Sequence, residues 1–551
     1  MVNFTTIALL SLASLTMNEP AAIHGGAAYR SPGPQTPPPI EADFYRLVDM
    51  KPQAGLKSAL GDLAIEVGGL CFLGNESLLA ATRRGEVWMV KDYASDPKYS
   101  LWADGLHEPL GLLAHNGWIY YAQRGDLSRM RDSNEDGRAD EFEVVNEGWS
   151  TSGDYHEYAF GPCLDAQGNF WVTLNRPFGG EPFGKADFRG WAARISPDGE
   201  TCEMVASGLR SPAGIGRAPW GELFYTDNQG EWVGTNKLTL LQPGDFHGHP
   251  WGIESSELLM SKMPYPIPTR DYEERYRNGI LFPDAVQEIE DLVLPSIWFP
   301  YDKLGRSASG FDWDESGGEF GPFDGQLFVG DQYEASVIRV ALEKVDGHWQ
   351  GAAFPFRKGL ASGVIRARFD REDWTRGMTF GMSDRGWTSI GTARDGLQRL
   401  EWTGETPFEI QTMTVLPDGF RLKLTRPCDA SLVTPEGFQL TSYTYQLHEA
   451  YGSPEMDTAK LMVSESTVSA DGLTIDLVVG SGAPQEMTEA PAGTDSNSTE
   501  ALHPSVPPIP APALRIGYVH ELHAHCLRDA ETKHALLHAD AYYTLNRLPK
   551  D

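Results

Sequence analysis

One strand pattern recurs about six times between Gly68 and Trp402, and no other feature of the chain restricts its possible folds so sharply. Each unit opens on small residues and a short apolar run. It then turns on Gly, Asp or Asn and continues as an aromatic-rich strand that ends in a polar cluster. The clearest copies are GGLCFLGNESLLAATRRGEVWMV from Gly68, EPLGLLAHNGWIYYAQRGDLSRM from Glu108 and HEYAFGPCLDAQGNFWVTLN from His156. Three more begin at Ser211, Ser307 and Val364. One small sheet cannot bury both of its faces, so alternating strands repeated at a few tens of residues call for blades packed side by side. The expected fold is all-β, with a six-bladed β-propeller over residues 44–403.

The flanks read differently. Residues 1–43 hold an apolar stretch at 7–17, too short to span a bilayer, and then the Pro-rich YRSPGPQTPPPIEA. A signal peptide, with a secreted or periplasmic location, is the first reading of the apolar stretch, and a buried N-terminal strand is the second. No later stretch is long and apolar enough for a membrane helix. Residues 253–300 form an insertion between the fourth and fifth units, with a helix-compatible DYEERYRNGILF. From Phe408 plain alternation replaces the blade pattern, so 404–551 reads as an immunoglobulin- or fibronectin-like β-sandwich. The polar, Pro-rich run at 485–512 interrupts that sandwich before a late strand, ALRIGYVHELHAHC.

Charge and cysteine content remove several function classes. With 45 Lys+Arg against 77 Asp+Glu, the net charge of −32 repels nucleic acid and anionic membranes. The five cysteines form no CxxC or CxxCH, which excludes a zinc ribbon, a thioredoxin motif and attached haem; Cys428 and Cys526 are left as a pair the sequence cannot decide. No GxSxG, Walker or HExxH motif is present.

DSNEDGRADEFE places oxygen-bearing side chains at positions one, three, five, nine and twelve, with Gly137 at the sixth. Hard cations need such a ring of oxygens and a sharp turn to aim them. The expected calcium ligands are Asp132, Asn134, Asp136, the carbonyl of Arg138, and Asp140 or Glu143; the competing reading is an acidic solvated turn. Around the channel, the positions just before each first strand are Glu66, Glu108, His156, Arg210, Arg306 and Arg366. Three arginines there favour a ligand with carboxylates or an acidic sugar, with His156 as general base. Alternatively, each arginine satisfies a carboxylate of a neighbouring blade. Asp227, Asn228 and Gln229, at one strand end, are the next polar lining. His247 and His249 either share a metal or pack in the core.

The segment GLRSPAGIGRAPWGELFYTDNQGEWVGTNKLTLLQPGDFHGHPWG, with GRSASGFDWDESGGEFGPFDGQLFVGDQ and SGVIRARFD, resembles the glucose/sorbosone dehydrogenase family, closest to its uncharacterised secreted bacterial members. The resemblance spans 68–402. It implies a six-bladed propeller that binds pyrroloquinoline quinone and calcium and oxidises aldoses. It also implies that Arg210, Arg366 and Arg368 face the quinone, and that the carbonyls of Gly230 and Glu231 hold its calcium. Ser211 stands where the family has asparagine and Glu231 where it has proline, and His156 lies three residues nearer the Gly161-Pro162 turn than the family's histidine.

Two functional readings follow. The first is an oxidoreductase acting on a small-molecule sugar, which would need an electron acceptor such as a partner protein. The second is a non-catalytic propeller that binds carbohydrate, an acidic glycan or a protein through the same rim, with a structural calcium loop. A calcium-dependent lactonase would need a ring of acids and amides where the rim carries arginines.

Overall fold

The computed structural model describes residues 37–58, 61–178, 186–258, 271–386, 388–480 and 513–550. The apolar start at 7–17 and the run at 485–512 lie outside the described residues.

Five repeats fold as free-standing four-stranded antiparallel sheets. The first three, over 67–103, 112–146 and 159–207, each use four consecutive strands. In the fourth, Ile297–Phe299 supplies the outermost strand only after the insertion, whose described part carries short helices Tyr272–Tyr276 and Phe282–Glu288. The last joins Val364–Phe369, Met378–Ser383 and Asp395–Trp402 to Tyr45–Asp49, so the front of the propeller region completes its final sheet. Strands in the middle of a blade, such as Phe170–Leu174 and Leu327–Asp331, are buried at every position, whereas the outermost Glu141–Asn146 is buried at none. That gradient is what face-to-face sheet packing produces, and it explains the wholly apolar inner runs of the repeat. Trp88, Trp191, Trp298 and Trp313 are buried completely.

The inner strands, among them Val67–Gly74, Ala159–Leu164, Pro212–Arg217 and Val364–Phe369, touch in sequence order, and the last touches the first. They surround a channel. The loops that enter them therefore meet at one end although they are far apart in sequence.

The unit from Ser307 departs from expectation. Its strands Ser336–Val345 and His348–Arg357 are ten residues each, against five or six in most other blade strands, and they overrun the blade. An overrunning hairpin leaves unpaired backbone groups at its edge. Asp540–Leu545 takes that edge, pairing Gly351↔Thr544, Ala352↔Tyr543 and Ala353↔Tyr542. The strands after Phe408 extend it into one eleven-stranded sheet. Within that sheet Met456–Val468 pairs first with Gln439–Thr444 and then with Thr474–Gly480, so the far strands fold back. Ile410, Phe420 and Leu422 share a core with Ala352 and Phe354 of the hairpin. The expectation of six blades is thus corrected to five free-standing ones. Five blades stand alone, and the C-terminal strands continue the sheet of the remaining unit. Arg339 crosses this junction fully buried between the rings of Phe323 and Phe354, donating to the carbonyls of Ile410 and Gln411 at 2.7 and 2.8 Å. Cys428 and Cys526 are free thiols, as are the other three cysteines.

His538 ties three distant segments together. Its Nδ1 lies 2.7 Å from Glu409 and its Nε2 3.0 Å from Glu41, which also receives the backbone amide of Lys358. Burial opposes a charge here, but the two carboxylates outweigh it and push the imidazole up to about 9. A rise from the ordinary 6.5 corresponds to roughly 3 kcal/mol of stabilisation. Because the folded value is the higher one, that contribution is complete below pH 6.5 and disappears as pH rises through 9. Denaturant unfolding should therefore show stability falling between about pH 6 and 9.5, with the slope flattened in His538→Gln; a wild-type protein with no loss over that window would disprove the link.

Candidate functional site

A cleft enclosing about 720 Å³, its open mouth included, lies at the end of the channel where the inner-strand entry loops meet. His156, Arg210 and Arg306 line it, each two or three residues before an inner strand, together with Ser211 and Ser307. These three expected rim residues therefore converge. Phe178, Tyr155 and Tyr451 form an aromatic wall, and each is more than a third exposed. Tyr451 comes from the C-terminal region, whose backbone bridges Glu231↔Tyr451.

The other rim positions do different work. Arg83 Nε and Nη2 donate to one oxygen of Glu108, and Arg124 donates to the other. Glu66 pairs with Arg84 and Arg385. Arg366 lies inside Val364–Phe369, because that strand starts two residues earlier than expected. Its guanidinium enters the channel and donates to the carbonyls of Leu110, Ala213 and Ile365 at 2.6 to 2.7 Å. Burial lowers it to about 9, with repulsion from Arg368 and Arg83 adding to the effect. Arg368 donates to the carbonyls of Phe311 and Ala367.

His156 is buried and stacked on Phe178, with ring centroids 3.7 Å apart. Its Nδ1 is 2.7 Å from the carbonyl of Arg176, which can only accept, so Nδ1 carries the proton. Nε2 is left as an acceptor 3.2 Å from the Ser211 hydroxyl, which itself receives Asn175 Nδ2 at 3.1 Å. Burial, and then the charges of Arg210, Arg176 and Arg124, hold the ring well below its ordinary value. His156 is thus an uncharged base at neutral pH. On the same wall the carbonyl oxygens of Asn175 and Asn228 are buried without a donor.

The cations of the cleft each meet one of the chain's own carboxylates. Arg210 Nε donates to Glu231 Oε2 at 3.0 Å and Arg176 Nη2 donates to the same oxygen. Burial disfavours the Glu231 charge, but these guanidinium groups hold its carboxyl below the usual range. Arg306 pairs with Asp302 and Glu334 and lies over the Tyr333 ring. Arg210 lies flat on Gly230, where a Cβ would stand 1.7 Å from Nε. Asp227, expected as lining, is fully buried; it receives the amides of Arg210, Ser211 and Asn228 and so shapes the loop that carries Arg210. Asn228 and Gln229 do line the cleft. His247 and His249 are buried and held uncharged, chiefly by burial, and the metal-competent group found among the described residues does not include them.

These contacts test the quinone and calcium set implied by the resemblance. Gly230 O already accepts the amides of Val233 and Gly452, and Arg366 and Arg368 give N–H groups to backbone carbonyls. Of the implied set, Arg210 Nη2 is buried without a partner. The residues present do not fit a tricarboxylate quinone with its calcium.

In the acidic loop, Asp132 and Asn134 receive the amides of Asp136 and Gly137, while Gly137 takes a φ of 92°. Asp136 receives the amide of Arg138, whose side chain reaches Asp104, and Asp140 turns to Ser133. Glu143 lies on Glu141–Asn146 and pairs with Arg129, away from the loop.

Tyr155, Phe178, Asn175, Arg176 and Tyr451 escaped the sequence reading. For the first four, the signal was an aromatic or polar residue just before the inner strand Ala159–Leu164 or just after its hairpin partner Phe170–Leu174. Tyr451 carries no such signal, because only the fold-back of the C-terminal sheet delivers it.

A family model described as Domain of unknown function (DUF7133) matches residues 74–252, less than half of the chain. Among curated proteins none matches. The solved structures similar to this one include a putative oxidoreductase (glucose dehydrogenase) from Thermus thermophilus, at 18% identity over 65% of this chain and 99% of that one, with a TM-score of 0.43. The PQQ-bound aldose sugar dehydrogenase from Streptomyces coelicolor gives 14%, 66%, 100% and 0.40 in the same order. The calcium structure of a Trichoderma reesei family AA12 protein gives 12%, 67%, 98% and 0.44.

Removing the internal counter-ion should expose the arginine pair. Glu231→Gln is expected to raise affinity for a polycarboxylate such as pyrroloquinoline quinone at least about tenfold, since a charged hydrogen bond contributes about 1.5–3 kcal/mol. Equal affinities for wild type and variant by fluorescence titration would contradict the pairing.

Proposed function

We propose that the chain is a sugar-binding propeller of the oxidoreductase kind, with the four strands over 308–357 serving as its sixth blade, and that a polyhydroxylated substrate occupies the cleft beside His156. The observation that carries this reading is the pairing of an uncharged, Nδ1-protonated His156 with wall oxygens of Asn175 and Asn228 that lack donors. Sugar hydroxyls supply such donors, and the faces of Phe178, Tyr155 and Tyr451 suit the apolar face of a pyranose. Arg176 and Arg210 already spend N–H groups on Glu231, and Arg306 on Asp302 and Glu334, which favours a neutral sugar over an acidic glycan.

The residues can perform the proton half of an alcohol oxidation. Ser211 already donates toward His156 Nε2, so a substrate hydroxyl placed against Ser211 can pass its proton to the imidazole. Asn175 holds the serine in place and Phe178 holds the ring. The hydride leaving the substrate carbon needs a two-electron acceptor from outside this set, an organic redox cofactor or the dye itself reaching the cleft mouth; an electron-acceptor protein would then reoxidise that acceptor. The competing reading is non-catalytic carbohydrate binding in the same cleft.

Calorimetry over a panel of neutral and acidic sugars, followed by dye reduction with and without quinone and calcium, separates the two. Neutral aldoses should bind and reduce dye. His156→Gln should lower the rate by about two orders of magnitude while changing sugar affinity little. Binding without turnover under every condition would leave the carbohydrate-binding reading, and no sugar binding would remove both.

We also carry forward the loop over 132–143 as a structural calcium site, supported by its three side-chain oxygens gathered around the Gly137 turn. A hundredfold excess over Kd would add about 2.7 kcal/mol. Chelation should therefore lower the melting temperature of wild type and leave Asp136→Ala unchanged; equal responses would reject the site.

A further inference from the structure

The structure brings together a second set of groups, far in sequence from the cleft residues and unrelated to the acidic loop. His523 ends Tyr518–His523 and pairs in register with Asp540, the first residue of Asp540–Leu545. The ladder runs on through Ala524 N to Ala539 O at 2.9 Å, so His523 and His525 project from the same face, their rings parallel within 6°. One ligand atom from each of His523, His525 and Asp540 lies within 4.8 Å of the others.

His523 lies between two carboxylates. Its Nε2 is 3.0 Å from Glu521 Oε1 and its Nδ1 is 2.6 Å from Asp540 Oδ1. A neutral imidazole has one N–H, so it donates to one carboxylate and faces the other with a lone pair. Glu521 is buried, and its second oxygen is held by Lys303 Nζ at 2.6 Å, so it is the fixed partner for an Nε2 proton. Nδ1 and the Asp540 oxygen are then two lone-pair donors side by side, and either a second ring proton or a shared cation brings them together; the His525 ring beside them supplies a third ligand atom for a cation. A carboxylate that orients a histidine while the opposite ring nitrogen binds metal is the usual arrangement in protein metal sites.

We propose that His523, His525 and Asp540 bind a divalent metal of the zinc class, with Glu521 orienting His523. Two imidazoles and one carboxylate suit zinc and not calcium or magnesium, which prefer oxygen ligands. Tetrahedral bonds of about 2.0–2.2 Å place ligand atoms roughly 3.3 Å apart. The 2.6 Å contact needs to open and the 4.0 Å separation of His525 Nε2 from Asp540 needs to close, both by side-chain rotation. The His525 side chain is 68% exposed, so the fourth position faces solvent and is open to water or a solute.

The test uses the full chain stripped with a chelator and titrated with zinc chloride at about pH 7.5 against a chromophoric chelator. The wild type should bind one zinc per chain at this site, and His525→Ala and Asp540→Asn should each weaken it at least about tenfold while melting at the wild-type temperature without metal. Cobalt substitution should give the visible absorption of a tetrahedral site in wild type and lose it in His525→Ala. Zinc affinity equal in wild type and both variants, or no zinc bound by the wild type, would overturn the proposal, because His523 would then carry both protons as an imidazolium between two carboxylates.

Discussion

Closure of the ring is the constraint on which the remaining structure depends. The last sheet lacks its outer strand until Tyr45–Asp49 pairs with Asp395–Trp402, from Tyr45↔Trp402 to Asp49↔Gln398. The pairing joins chain ends more than three hundred residues apart, so its loop entropy must be offset by packing. Tyr45 supplies much of it. Its ring sits among Phe320, Phe323 and Phe356, and its hydroxyl donates to the Phe320 carbonyl. Just ahead of it, Glu41 is held by His538 and Arg357. The convergence of the entry loops on one cleft is a consequence of this closure.

The eleven-stranded sheet solves a second edge problem by a different route. A hairpin that overran its blade would be an exposed template for association with another chain. The protein covers it with its own C-terminal strands, and the same excursion delivers Tyr451 to the cleft. The C-terminal region is thereby tied both to the stability of the propeller and to the wall of its cleft.

Buried cations divide into two kinds. Arg339 and Arg366 donate to backbone carbonyls, which neutralises no charge but satisfies the guanidinium geometry and ties separate strands together. Arg176 and Arg210 instead share Glu231, a carboxylate where the resembling family has proline. That one carboxylate takes an N–H from each arginine and reduces the charge of the pair from two to one.

The sequence by itself determined the strand repeat, the β class, the polarity of the surface and five of the cleft residues, because these depend on period-two alternation and on position relative to a strand end. His156, Arg210, Arg306, Asn228 and Gln229 were legible for that reason. Tertiary structure alone decided that Arg366 points into the channel wall, that Asp227 is buried under the loop that carries Arg210, and that Glu231 meets two arginines. A one- or two-residue change in where a strand begins exchanges lining for core, and alternation does not encode it. The strands after Phe408 were not separable in the sequence, because strands that complete a neighbour's edge carry the same alternating pattern as strands that form a domain of their own. What distinguishes them is the partner across the edge, and only the folded chain supplies it.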